Sequence, residues 1–151
     1  MISKKTKYAL KAILLLTGKY DSKAPVLIAD IAEKESIPKK FLESILLELK
    51  NNDLLQSKKG KGGGYLLARP PEQITFGEVI SIFENLFGAL PCLNENPGRR
   101  CGECREGKTA CGIHMVMHEV YESTMHILNL TTFRDVYDRM RKDHQEAMYF
   151  I

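Results

Sequence analysis

The chain has 151 residues, 44% hydrophobic and 27% charged, a mixture that supports one globular domain, alone or with a dimerisation element, and excludes intrinsic disorder. Its longest apolar run, Ala12 to Leu16, is five residues, which excludes a membrane-spanning helix; the opening Met1-Ile2-Ser3-Lys4-Lys5 has no signal-peptide core, so the cytoplasm is the expected location. The net charge of +3 divides unevenly, with 14 Lys/Arg against 7 Asp/Glu in residues 1–70 and 8 against 12 in residues 71–151, so the first half presents a basic face suited to a polyanion.

In chain order, Lys4 to Lys19 reads as a helix, with Tyr8, Ala12, Leu15 and Leu16 at helical spacing and Gly18 as a stop signal. A break at Asp21-Ser22-Lys23-Ala24-Pro25 precedes a short helix, Ile28 to Lys34, packing through Ile28, Ile31 and Ala32. After the turn Glu35-Ser36-Ile37-Pro38, a longer helix is predicted over Lys39 to Asn51. Its buried stripe is Phe41, Leu42, Ile45, Leu46 and Leu49; Lys39, Lys40, Glu43, Ser44 and Glu48 point outward. Two short strands follow, Leu54–Ser57 and Tyr65–Ala68, joined by the basic tip Lys58-Lys59-Gly60-Lys61-Gly62-Gly63-Gly64 and closed by Pro70-Pro71.

Thr75-x-x-Glu78 has the spacing of a capping box, in which Glu78 reaches back to the N-cap amide, opening a helix from Phe76 to Leu86. The stretch from Pro91 to Gly112 reads as loop and holds every cysteine of the chain. Beyond it, Ile113, Val116, Met117, Val120, Thr124 and Ile127 mark a helix to Asn129, the longest in the chain. A short final helix is expected from Thr131 or Thr132, with a frayed tail after Arg139.

Paired short helices followed by a basic hairpin outline a winged helix-turn-helix. In such a unit Lys39, Lys40 and Ser44 would face base edges and phosphates, although lysines at a helix start are also ordinary solvated residues. Three consecutive glycines make sense where backbone turns tightly or approaches a surface closely, and Lys58, Lys59 and Lys61 beside Gly62, Gly63 and Gly64 indicate that the surface is nucleic acid. No Ser-His-Asp order, paired carboxylates or nucleotide-type phosphate loop stands out, so an enzyme is not expected. His118, His126 and His144 carry no evident chemistry.

The runs Tyr8-Ala9-Leu10-Lys11-Ala12, Ile37-Pro38-Lys39-Lys40-Phe41-Leu42-Glu43, Leu46-Leu47-Glu48-Leu49-Lys50-Asn51 and Lys59-Gly60-Lys61-Gly62-Gly63-Gly64-Tyr65-Leu66-Leu67-Ala68 closely resemble the IscR/NsrR/CymR (Rrf-two) family of bacterial winged-helix transcription regulators. Thr75-Phe76-Gly77-Glu78-Val79-Ile80 is similar to that family's helix after the wing, and the resemblance spans residues 3–137. It implies a mainly α fold with a small β-hairpin wing. The expected parts are a winged helix-turn-helix over residues 1–71, a connecting helix over 72–90, a cysteine-rich sensor loop over 91–112, and a dimerisation helix and tail over 113–151. It also implies a homodimer bound to a double-stranded DNA operator, repressors being among such regulators. Leu27 departs from the family, standing where members often carry a threonine N-cap; Lys39 and Lys40 stand where members often carry smaller polar residues.

The cysteines are spaced Cys92-x8-Cys101-x2-Cys104-x6-Cys111-x2-His114. The resemblance implies a [2Fe-2S] or [4Fe-4S] iron–sulphur cluster with Cys92 and Cys111 as outer ligands and Cys101 or Cys104 between them. His114 is an alternative fourth ligand to an all-cysteine set. Soft thiolates on a glycine-rich loop suit such a cluster, and Arg99, Arg100 and Arg105 nearby favour the thiolate form. Zinc held by Cys101, Cys104, Cys111 and His114 is one alternative, a reversible thiol switch another, and control by a protein partner accompanies either; the rival from another class is a small metal-handling redox protein whose basic half is incidental.

Overall fold

The computed structural model describes residues 2–86, Leu93 and 111–149, with side chains through 145. Among the described residues the order is α1 (Lys4–Thr17), α2 (Ile28–Glu35), α3 (Lys39–Asn51), β1 (Leu55–Lys58), β2 (Gly64–Leu67), α4 (Phe76–Phe83), α5 (Gly112–Leu130) and α6 (Phe133–Tyr149). The expected mainly α architecture with a hairpin wing is present. Cys92, Cys101, Cys104 and the three loop arginines lie outside the described residues.

Helix α1 starts at Ser3, whose side chain accepts from the Thr6 amide, satisfying one of the donors a helix start leaves open. It packs against α2, α3, α4, α6 and β2. That central position buries Ala9, Ala12, Ile13 and Leu16 completely or nearly so, and leaves Tyr8 and Leu15 only half-buried. The remaining core comes from Ile31, Leu42, Ile45, Leu46, Leu49, Leu54, Leu67, Ile74 and Val79, closed by Phe133 of α6.

In α3 the expected stripe holds at Leu42, Ile45, Leu46 and Leu49 but fails at Phe41, which is 42% exposed and meets Tyr8 edge-on, ring centroids 5.9 Å apart. Phe41 lies at the margin of the buried arc, where one neighbouring ring covers only part of it. The antiparallel hairpin pairs Leu55 with Leu67 and Lys58 with Gly64, one residue out from the expected spans. Val26 adds an isolated bridge to Tyr65, with hydrogen bonds of 2.9 and 2.8 Å in the two directions.

Helix α4 ends at Phe83, three residues before the expected Leu86. At its start only half of the predicted capping box forms. Thr75 Oγ1 accepts from the Glu78 amide at 3.2 Å, while the Glu78 carboxylate pairs with Arg69, a fully ionic partner outcompeting a neutral amide.

The last helix departs most from expectation, running 17 residues to Tyr149 where a short helix with a frayed tail was predicted. Its start is fixed by a reciprocal cap at Thr132, whose amide and hydroxyl donate to Asp135 Oδ2 while its oxygen accepts from the Asp135 amide. These bonds, first among them that from the Thr132 hydroxyl, hold the Asp135 carboxyl below its ordinary pKa. Phe133 stacks on Phe76, centroids 4.3 Å apart, and Arg134 reaches Glu72 at 2.8 Å and Asp21 at 3.3 Å. Cap, ring stack and ion pairs together anchor a sequence whose own pattern is too polar to declare a long helix.

Candidate nucleic-acid interface and the cysteine segment

Helices α2 and α3 meet at Ser36, which sits in the left-handed region at φ 54°. There the Ile37 amide donates to Ala32 O at 2.9 Å, closing α2 and turning the chain toward Pro38, the N-cap of α3. Leu27 caps α2 with no side-chain hydrogen bond, as the departure at that position implied. With its apolar face buried, α3 leaves Lys39, Lys40, Glu43, Ser44 and Leu47 exposed, Leu47 at 54%. The Ser44 hydroxyl donates to Phe41 O at 2.8 Å. Its proton is thereby engaged, and its lone pairs remain to accept from a base amino group.

The wing tip carries Lys58, Lys59 and Lys61, all exposed. Among the described residues none of Lys39, Lys40, Lys58, Lys59 and Lys61 takes part in an ion pair, whereas Lys5, Lys11, Arg69 and Arg134 all do. Lysines that keep their charge unspent are the ones able to release counterions from phosphate. Packing of α3 on β1 and a 2.9 Å hydrogen bond from Lys50 Nζ to Ser57 Oγ hold the wing to the recognition helix.

The glycine run is explained within the wing itself. Gly60, Gly62 and Gly64 have φ of 93°, 79° and 147°. A Cβ on Gly63 would collide with Lys58 O, and one on Gly64 with Val26 O. Of the two roles open to these glycines, the tight turn is the one the backbone requires. At Gly62 a Cβ would meet open space, so there the requirement is conformational alone.

Of the cysteine segment, Cys111 is described: it is half-buried and is the N-cap of α5. Its neighbour three residues on, His114, is half-buried and lies with its ring 5.5 Å from that of His118, which in turn stands 6.5 Å from Tyr121 and 3.8 Å from Glu122. His118, passed over in the sequence, thus belongs to a ring ladder that begins at the alternative ligand. The described residues contain no cluster of three or more metal-ligating side chains.

Beyond Cys111, α5 has no buried residue. The stripe predicted as one face is divided. Met117 and Thr124 turn half-buried toward the chain, while Ile113, Val116, Val120 and Ile127 point outward, Ile113 at 71% and Ile127 at 64% exposure. The inward side crosses α4 so closely that a Cβ on Gly77 would strike the side chain of Asn129.

A recognition helix with free lysines, a basic wing and a long helix with an uncovered apolar face define a winged helix-turn-helix DNA-binding protein. The chain belongs to the Rrf2 family, described as iron-dependent transcriptional regulators, which it matches over residues 2–139. It is 35% identical to an rrf2-like HTH-type transcriptional regulator of Rhodobacter capsulatus over 90% of this chain and 91% of that one. It is 32% identical to the HTH-type transcriptional regulator IscR of Cronobacter sakazakii over 97% and 89% of the two chains. Among solved structures, T. potens IscR superposes with a TM-score of 0.71 at 27% identity, covering 97% of this chain and 90% of that one. CymR, the global cysteine regulator of B. subtilis, superposes at 0.72 with 24% identity, covering 92% and 97%, a likeness of fold. The protein is therefore a DNA-binding transcription regulator, and no described helix is long and apolar enough to cross a membrane.

Proposed function

We propose that this regulator binds a duplex operator as a homodimer and senses its signal through an iron–sulphur cluster on the cysteine segment. Lys39, Lys40 and Ser44 read the major groove, while Lys58, Lys59 and Lys61, held by the turn at Gly62, Gly63 and Gly64, grip the flanking backbone. The exposed apolar face of α5 covers its counterpart in a second copy. The cytoplasm, where DNA and reduced thiols coexist, is the compartment this reading requires.

The observation that carries the sensing half is the position of Cys111. Cys111 is the N-cap of a 19-residue helix, so a ligand there stands at the root of α5. The donor set of Cys92, Cys101, Cys104 and Cys111, with His114 as the alternative, is chemically suited to iron–sulphur ligation. When bound, the cluster supplies a group that gains or loses electrons, or is dismantled, in response to oxidants, nitric oxide or iron supply. The chain's own part is mechanical: a ligand at the root of α5 ties the state of the segment to the helix that sets dimer geometry, and so to the spacing of two recognition helices.

The test is an absorption spectrum of protein purified without oxygen, with iron, zinc and sulphide assayed on the same sample. Operator affinity is then measured before and after the metal is removed. Visible bands with matching iron and sulphide, and a shift in affinity on their loss, are expected. Colourless zinc protein would make the segment structural. Colourless, metal-free protein after attempted reconstitution would assign sensing to thiol oxidation or to a partner protein.

A further inference from the structure

The first turn of α1 joins two elements that lie far apart in sequence. On one side is Glu84, the residue after α4 and three positions before the undescribed stretch that leads to Cys92. Its carboxylate accepts from the Ser3 amide at 2.7 Å and from the Thr6 hydroxyl. Thr6 is completely buried. A carboxylate only accepts, so the Thr6 proton is committed to Glu84; the Ser3 hydroxyl then donates to Thr6 Oγ1 across 3.0 Å and accepts from the Thr6 amide at 3.2 Å. The bonds from Ser3 and Thr6 hold the Glu84 carboxyl down at about 2, so it stays ionised at the positive end of the helix.

On the other side is Lys5, in the same turn. Its ammonium lies 5.0 Å from the centre of the Phe83 ring, the last residue of α4, and pairs with Glu48 of the recognition helix. Both partners of that pair are about two-thirds buried, so the link is shielded more than a surface ion pair is. Phe83 and Glu84 therefore grasp α1 at consecutive side chains, and Lys5 carries the grip to α3.

We propose that Lys5 and Glu84 are positioning residues, forming a joint that transmits displacement of the cysteine segment to the recognition helix within one protomer. The proposal rests on the sensing role of the cysteines argued above, and it adds a route that does not pass through α5 or the dimer contact. Neither residue need touch DNA for the joint to act.

The experiment uses the full-length protein and the duplex that wild type selects from a random pool. Operator affinity is measured for untreated protein and for protein after oxidation by peroxide, and the ratio of the two is the readout. A lost surface charge changes both affinities alike and leaves that ratio intact. If wild type shows a ratio of about fivefold or more, the usual scale of coupling between sites, Lys5→Ala and Glu84→Ala are expected to bring it close to one, with Lys5→Arg restoring it. A wild-type ratio retained in both alanine variants overturns the joint and leaves cysteine sensing standing. A wild-type ratio of one, both after peroxide and after removal of any bound metal, overturns the sensing reading itself and the joint with it. Hydrogen exchange supplies the structural arm: Glu84→Ala and Lys5→Ala should each speed exchange in residues 39–51. Faster exchange confined to the first turn of α1 would show that the link stops short of α3, which also overturns it.

Discussion

In the first 86 residues Ile31, Leu42, Ile45, Leu46, Leu49 and Leu54 are fully covered by the chain itself, whereas α5, apolar along much of its length, buries none of its residues. Cations divide within the first region itself: Lys5, Lys11 and Arg69 are paired within the chain, while Lys39, Lys40, Lys58, Lys59 and Lys61, like Lys4, Lys7, Lys19, Lys23 and Lys34, have no ion-pair partner among the described residues. On the proposed reading, the lysines of the recognition helix and wing meet phosphate, and the uncovered hydrocarbon of α5 meets its counterpart in a second copy.

The strongest way to break this comparison is to place charge on α5. Val116→Asp combined with Ile127→Asp should convert the proposed dimer to folded monomer in sedimentation, because an unpaired charge in a closed apolar interface is strongly disfavoured. The circular dichroism of the monomer should stay helical, since neither side chain supports the intrachain core. Phe133→Ala tests the opposite case. Phe133 is fully buried and stacked on Phe76, and its truncation should destabilise the protein by about 3–5 kcal/mol in urea titration. Gly77→Ala displaces the exposed Asn129 side chain at the α4–α5 crossing and brings a Cβ to 3.2 Å from the Asn129 amide; offset by the better helix propensity of alanine, the net change should stay within about 1 kcal/mol.

Smaller effects sharpen the electrostatic half. Each of Lys58→Ala, Lys59→Ala and Lys61→Ala should reduce the slope of log affinity against log salt by about 0.9 for every phosphate contact removed, without moving the melting temperature. Glu84→Gln should act mainly above the acid range. Its carboxyl lies at about 2 in the folded chain, against 4.5 ordinarily. The unfolded chain therefore takes up the proton first, and the stabilising contribution is complete above 4.5 and fades as pH falls toward 2. The variant should melt lower than wild type across the neutral range and converge with it as pH falls toward 2, which flattens the acid limb of the curve.

How much of this was legible beforehand depended on whether the signal was local. The α2–turn–α3 unit, the basic wing and the length of α5 follow from periodicity and punctuation that one stretch of chain carries by itself. The lysines of the recognition helix could be named because the buried stripe at Leu42, Ile45, Leu46 and Leu49 leaves only one face for them. By contrast, α6 runs to Tyr149 because Phe133 and Arg134 find partners some 57 to 113 residues away, and no local pattern announces those. Glu78 was expected to cap its own helix, yet Arg69 claims it. The bonds joining Glu84 to Ser3 and Thr6 span 81 and 78 positions, and no local pattern announced them.

By itself, then, the sequence determined the local elements, the family pattern and the places where charge and thiols accumulate, because propensity, hydrophobic period and turn chemistry act over a few residues. The tertiary structure alone decided which glycines serve the turn, which half of the α5 stripe faces inward, and which cations are spent within the chain. Those outcomes depend on what lies across the gap when the helices pack, and packing brings together atoms whose separation along the chain encodes nothing about their separation in space.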